Sequence, residues 1–377
     1  MTASAPTGPP VVCLSPIPWS GQWTSRHEIA TELARRGRPV LFVEPPRNVL
    51  RRPPRPAADR PEPAGIARTT PPAYLPYGIL GRTPRAAATA IALNARRYAD
   101  HVARAAGGHA PGAGRTLVLN SFMPVLGHTV AARLPDAAHL YHRTDELRSF
   151  PSHQPLHERY EHRVLREADA VACSSPTLAA AVRHVRADAA VVRNGVDVGR
   201  FADATPDPRV ARMPGPVAVL VGRVDHRTEP GVLNRIADAM TLVVAGPVAP
   251  GHRIPDRAHG LGPVAPDAIP SILAGADVAL VPYAGFEGDP LKVYEYLAAG
   301  LPTVVVAGPW LDASPVLDAL HVVPSPSDLP QAALEAARGR TLAEDEERRA
   351  VAAEQSWSAR VDELLGLIDV VAAPVGS

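Results

Sequence analysis

The segment 285–306, GFEGDPLKVYEYLAAGLPTVVV, constrains the chain most, because it places two carboxylates and a lysine around the start of a helix that leads into an apolar strand. Asp289 suits an N-cap, Pro290 the first helical position, Gly300 the left-handed residue that ends a helix, and Pro302 blocks continuation. The spacing predicts a helix over 290–299. Its N-terminus offers free backbone N–H groups and the positive end of the helix dipole, a site for phosphate or another anion, and Lys292 adds a full charge there. Lys292 and Glu295 are three residues apart and share a face, so Glu295 can accept hydrogen bonds from vicinal hydroxyls such as those of a ribose. Glu287 precedes the cap by two residues and is placed to meet a sugar. The apolar run 303–306 reads as a parallel strand covered on both faces. The segment reads as a nucleotide-sugar pocket; the plain alternative is a capped core helix with a solvated Lys292–Glu295 pair.

A chain of 377 residues is too long for one ordinary core, and 46% hydrophobic residues can fill two. The net charge of +1 and the lack of a long basic run argue against nucleic acid as a partner. Cys13 and Cys173 each sit in an apolar stretch, so neither a disulfide framework nor a cysteine metal site is expected, and the compartment reads as reducing. The N-terminus lacks a basic region ahead of a long apolar core, and no stretch reaches the ~18 apolar residues of a membrane span. A cytoplasmic location is the expectation.

Strand 11–15, loop 16–25, a helix ending at Gly37 and strand 39–44 open a doubly wound α/β domain, whose first loop lies at the carboxyl edge where such sheets bind ligands. That loop carries Gly21, Gln22, Trp23 and Arg26, candidates for an acceptor or phosphate. Residues 45–84 are rich in Pro and Arg with little apolar period and are expected to form a long loop; its Arg47, Arg51, Arg52 and Arg55 could meet an anionic acceptor or a peripheral membrane surface, or be solvated. The stretch HLYHRTDEL reads as a strand end opening into a loop, with His142 and Asp145 at the sheet edge. Asn194-Gly195 is a turn signal, 202–214 reads as a linker, and a second α/β unit starts at 217 and passes through Gly222 and Arg223. The final helix, 356–370, carries an apolar stripe at Val361, Leu364, Leu365 and Ile368 that needs a partner surface.

Glu287, seven intervening residues, Glu295 and the turn Ala-Ala-Gly-Leu-Pro into a valine strand resemble the retaining glycosyltransferases of the GT-B fold, specifically glycosyltransferase family 4 (group 1) and its teichuronic-acid-type branch. Ser-Pro-Ile-Pro-Trp, Val-Glu-Pro-Pro, the Gly222-Arg223 pair and the Asn194-Gly195-Val196-Asp197 hinge signature extend the likeness over most of the chain. Departures are Gly-Asp-Pro in place of Gly-Phe-Gly after Glu287, and His226 or Arg227 where a lysine usually follows Arg223. The resemblance implies two Rossmann-like doubly wound domains facing a central cleft: 1–201 for the acceptor, linker 202–214, 215–355 for the nucleotide sugar, and a C-terminal helix within 356–377 that crosses back. It implies an enzyme that transfers a sugar from a nucleotide diphosphate sugar to a hydroxyl of a glycan, lipid-linked or natural-product acceptor, with retention; the surplus of Pro and Ala and of Arg over Lys separately reads as that of a high-GC bacterial genome. Candidate catalytic groups are His142, Asp145 and Glu287; donor contacts are Gly222, Arg223, Gly288, Asp289, Leu291, Lys292 and Glu295. With no DxD carboxylate pair and no clustered His/Cys ligands, no metal or other cofactor is expected. The alternatives are a catalytically inactive nucleotide-sugar-binding paralogue and a GT-B sugar-nucleotide epimerase.

Overall fold

A computed structural model of the chain describes residues 8–46, 62–71, 84–108, 114–149, 155–229 and 231–372, leaving aside the side chains of 84–88, 155–156 and 370–372. The chain divides into two compact units, one of Met1–Arg193 with Val361–Ser377 and one of Asn194–Arg360.

Among the described residues of the first unit, seven short strands, β1 (Val11–Leu14), β2 (Val40–Val43), β3 (Ile66–Thr69), β4 (Leu117–Ser121), β5 (Ala138–Arg143), β6 (Ala170–Cys173) and β7 (Ala190–Val191), form one sheet in the order β3-β2-β1-β4-β5-β6-β7. Every described pairing is parallel. Near-continuous apolar runs such as Val11–Leu14 and Val40–Val43 are buried along their whole length, as strands covered by helices on both faces must be. The order reverses between β1 and β4, which puts a ligand crevice at the carboxyl ends of those strands. Cys13 and Cys173 are free and buried on strands of this sheet, and burial pushes both thiols up to about 12.

The second unit repeats the plan with β8 (Val217–Val221), β9 (Thr241–Ala245), β10 (His259–Gly262), β11 (Val278–Val281), β12 (Thr303–Val306) and β13 (His321–Val323), in the order β10-β9-β8-β11-β12-β13. All its described pairings are parallel, and the switch point lies between β8 and β11. Helices Val232–Ala239 and Leu329–Gly339 share one apolar layer with this sheet, and helices Ile269–Ala274 and Leu291–Ala298 share the other.

Several local expectations are corrected. Residues 66–69, expected within a long loop, form edge strand β3 against β2; only Ile66 is buried there, so the apolar period is too short to show. Arg47, Arg51, Arg52 and Arg55 lie outside the described residues. Residues 202–214, read as a linker, lie in the second unit, where the short helix Pro208–Ala211 buries Val210 completely in the core. The last helix runs over Trp357–Ala372, and its stripe residues Val361, Leu364 and Ile368 are buried. No described helix is long and apolar enough to cross a membrane.

Candidate functional site

The site helix in the second unit is Leu291–Ala298, one residue shorter at each end than the sequence predicts. Pro290 is the N-cap and no side chain caps the helix, so Asp289 does not play the capping role expected of it. Its carboxylate is taken by other donors: Oδ2 accepts the Asn194 backbone N–H at 2.7 Å and Oδ1 accepts the Tyr294 hydroxyl at 3.0 Å. The C-terminal end does follow the sequence, with Gly300 at φ 77° in the left-handed region. The Arg348 guanidinium, itself buried, donates to the Gly300 carbonyl at 3.0 Å and is held by Asp345 at 2.7 Å.

Lys292 and Glu295 are brought together on one face. Lys292 Nζ lies 2.5 Å from Glu295 Oε2, with Glu295 buried and Lys292 half-buried. The same helix is fixed to the end of β8 by Tyr296, whose phenol oxygen accepts the Val221 N–H at 2.8 Å and donates to the Val221 carbonyl at 3.3 Å. Gly222 and Arg223 follow at once, with Arg223 exposed. Gly222 donates its N–H to the Ala245 carbonyl at 2.9 Å, and a Cβ on Gly246 would fall 1.9 Å from the Gly222 oxygen, so the exits of β8 and β9 touch through glycine backbone.

Arg227, the group near the family's lysine position, is engaged rather than open. It pairs with Asp225 through Nε at 2.8 Å and Nη2 at 2.9 Å, and its guanidinium lies 4.8 Å from the Tyr283 ring centre and 5.7 Å from that of Phe286. Burial pushes the Asp225 carboxyl up, but the Arg227 hydrogen bond and charge outweigh it and hold the group below its ordinary value. Thr228 bridges to Tyr283, so the loop after β8 is joined to the loop after β11 that carries half-buried Glu287 and buried Gly288. Sequence reasoning missed this junction; the Arg-aromatic pairing depends on residues more than 50 positions apart, which no local pattern exposes.

In the first unit, Gly21 closes a tight turn by donating its N–H to Pro18 at 2.8 Å, Gln22 is exposed, and Trp23 is buried. The Trp23 ring stacks on His27 at 4.6 Å and donates its indole N–H to Glu28 at 2.7 Å, so it supports the start of helix Ser25–Arg35. Arg26, in the first turn of that helix, is buried, donates to Thr144 Oγ1 at 2.6 Å and lies 3.8 Å from the Asp145 carboxylate. Asp145 is about one-third exposed.

His142 sits near the end of β5, where alternation sends it to the face opposite Tyr141 and Arg143, which both bind Glu161. It is only 2% exposed, and neither ring nitrogen has a hydrogen-bond partner. Burial, and then the Arg26 charge, push its pKa down to about 3, so the ring is neutral and cannot serve as a proton donor near pH 7. Among the described residues, no group of three or more His, Cys, Asp or Glu is arranged to hold a metal ion.

Residues 216–338 match the family model described as glycosyl transferases group 1. Sucrose-phosphate synthase from Thermosynechococcus elongatus shares the fold with a TM-score of 0.68 and 15% identity, over 97% of this chain and 99% of that one. Anabaena HepE in complex with UDP and glucose matches with a TM-score of 0.67 and 15% identity, over 96% of this chain and 100% of that one. The α,α-trehalose 6-phosphate synthase from Burkholderia multivorans gives a TM-score of 0.65 and 14% identity, over 97% and 99%. No curated protein matches the chain. The fold is GT-B, and the segment that matches the group 1 glycosyl transferases lies in the second unit.

Proposed function

We propose that the chain is a glycosyltransferase that moves a sugar from a nucleotide diphosphate sugar to a hydroxyl acceptor, with retention and without a metal. The observation that carries this reading is the Lys292–Glu295 pair on the first turns of a buried helix, next to the switch point of the sheet that matches the group 1 glycosyl transferases. The first-turn amides of that helix, Lys292 and exposed Arg223 supply positive charge for a departing diphosphate, and Glu295 accepts hydrogen bonds from ribose hydroxyls. As the glycosyl–phosphate bond breaks, negative charge grows on the diphosphate and positive charge on the sugar ring, so preorganised cationic groups lower the barrier more than they strengthen ground-state binding. Glu287 and Gly288, on the loop that Arg227 holds in place, belong beside the sugar, with Gly222 and Leu291 lining the diphosphate.

We assign the acceptor to the first unit, where Arg26 reaches Thr144 and Asp145 beside His142, and where the loop after β1 carries Gly21 and Gln22 and is supported by Trp23. His142 is a neutral hydrogen-bonding group in this reading, not an acid. Family 4, its teichuronic-acid-type branch and a cytoplasmic setting remain part of the same proposal. Because HepE was seen with UDP and glucose, uridine donors come first in the test.

The test is a thermal-shift screen against UDP, GDP, ADP and dTDP and their glucose conjugates, since a ligand bound only by the native state raises its melting temperature. A shift with one base, followed by slow release of glucose from the matching sugar nucleotide in the absence of acceptor, is the expected result. Binding without any release would favour an inactive nucleotide-sugar-binding protein. No shift with any of them would overturn the reading.

A further inference from the structure

Asp289 stands between Gly288 and Pro290, immediately before the helix that carries Lys292 and Glu295, and it is buried. Besides the two bonds to its carboxylate, its backbone carbonyl accepts the Asn194 side-chain amide at 2.6 Å. Asn194 and Tyr294 are buried as well, so all three groups are shielded from water. Asn194 is the first residue of the second unit, where the chain crosses from Arg193. Two residues on, Val196 donates its N–H to the Gln355 carbonyl at 2.8 Å and bridges to Ser356, shortly before the chain leaves the unit between Arg360 and Val361. The two crossings are therefore laced together inside the second unit, and one carboxylate bonds that lacing to the loop 285–290.

We propose that Asp289 is a positioning residue that joins the donor loop to the crossover at Asn194, so that a nucleotide held by Lys292 and Glu295 also fixes residues 194–196. The inference rests on the reading of 285–295 as the donor site. A buried carboxylate shared between a backbone N–H and a phenol makes two charge-assisted bonds in a low-dielectric setting, and releasing either leaves a buried charge short of a partner. The loop and the crossover must then open together, as one cooperative segment. A ligand that binds only the closed form raises the opening free energy of every amide in that segment, not only of those it touches.

Asp289→Ala removes both acceptor oxygens, so the bonds from the Asn194 N–H and the Tyr294 hydroxyl are both lost. Tyr294→Phe removes only the phenol and keeps the Asn194 bond.

Amide hydrogen exchange on the full chain, with and without saturating UDP and then GDP, ADP and dTDP, tests the inference. In the wild-type chain, exchange in 285–295 and in 194–196 should slow together, each by about tenfold, when the accepted nucleotide is added. In Asp289→Ala, at a nucleotide concentration that saturates the variant, 285–295 should still be protected while the nucleotide-dependent slowing of 194–196 disappears; Tyr294→Phe should fall between. A purely structural Asp289 would speed exchange in both ligand states and leave the nucleotide-dependent difference intact, which would overturn the inference. So would wild-type protection confined to 285–295, a result that needs no variant to fold. If no nucleotide protects 285–295 at all, the donor reading fails first and this inference fails with it.

Discussion

Lys292 Nζ lies 2.5 Å from Glu295 Oε2, and the carboxylate is the more deeply buried partner, with 5% of its side chain exposed against 17% for the lysine. The pair is internal to the helix, so a nucleotide that used both groups would part them, drawing the ammonium to phosphate and leaving the carboxylate to the ribose. Each side chain then exchanges one strong partner for another, and binding discriminates between ligands that offer both partners and ligands that offer one.

Glu295→Ala should weaken binding of the accepted nucleoside diphosphate about tenfold or more, the loss of a charge-assisted bond of ~1.5–3 kcal/mol. The loss should be larger still for the nucleoside without phosphates, because Lys292, freed from Glu295, attracts the diphosphate more strongly. Calorimetric titration of both ligands checks this, and unchanged affinity for both would refute the ribose role.

Much of this helix was legible in the sequence, because its determinants are local: the Lys292–Glu295 spacing, Gly300 at the end and the Thr-Val-Val-Val strand 303–306 that follows. Both doubly wound sheets were legible for the same reason, since parallel strands buried on both faces leave continuous apolar runs. What could not be read depends on distant partners. Asp289 has the chemistry of an N-cap, yet Asn194, 95 residues away, and Tyr294 claim its oxygens. His142 sits at a sheet edge where solvent is close, yet it is covered beside Arg26, a contact across 116 positions that only the fold creates.

The acid limb of stability should carry the signature of His142. In the unfolded chain it titrates near its ordinary 6.5, whereas in the fold burial and Arg26 hold it at about 3. Between those values the unfolded chain binds a proton that the folded chain refuses, so stability from this group is complete above about pH 6.5 and falls as pH drops toward 3, by about 1.4 kcal/mol per unit. Melting temperatures of His142→Gln should therefore decline less steeply than wild type from pH 6.5 to 4 and share its slope above pH 7. The limb should not become flat, because burial lowers His139 as well. Parallel acid limbs in the two proteins would contradict a buried neutral ring.

In the proposed donor site, Arg223, Lys292 and the helix amides would give the diphosphate positive charge from the protein itself. Excess EDTA should accordingly leave the initial rate of donor turnover within about twofold, a small change on a scale where tenfold is ~1.4 kcal/mol. Lys292→Met should instead lower turnover and make nucleotide diphosphate binding less sensitive to salt, since one phosphate-facing charge is gone. A rate abolished by EDTA and restored by magnesium or manganese would show that the charge is supplied by a metal.

The close approach of Gly246 to the Gly222 backbone leaves no room for a side chain at 246. A Cβ at 246 would sit 1.9 Å from the Gly222 oxygen and 2.5 Å from its carbonyl carbon, and both are backbone atoms that cannot swing aside as a flexible side chain would. Gly246→Ala must push the exit of β9 away from that of β8, straining the Gly222–Ala245 hydrogen bond of 2.9 Å and shifting the backbone that presents Arg223. We expect a loss of ~2–4 kcal/mol, read as a marked drop in melting temperature, together with weaker nucleotide binding in the protein that remains folded. Gly251→Ala is the matched control: φ there is 81° and nothing lies within 4 Å of the added carbon, so the cost is the left-handed strain alone, about 1–2 kcal/mol. Equal destabilisation by the two substitutions, or full nucleotide affinity in Gly246→Ala, would mean that the close approach of the two loops does not shape the site.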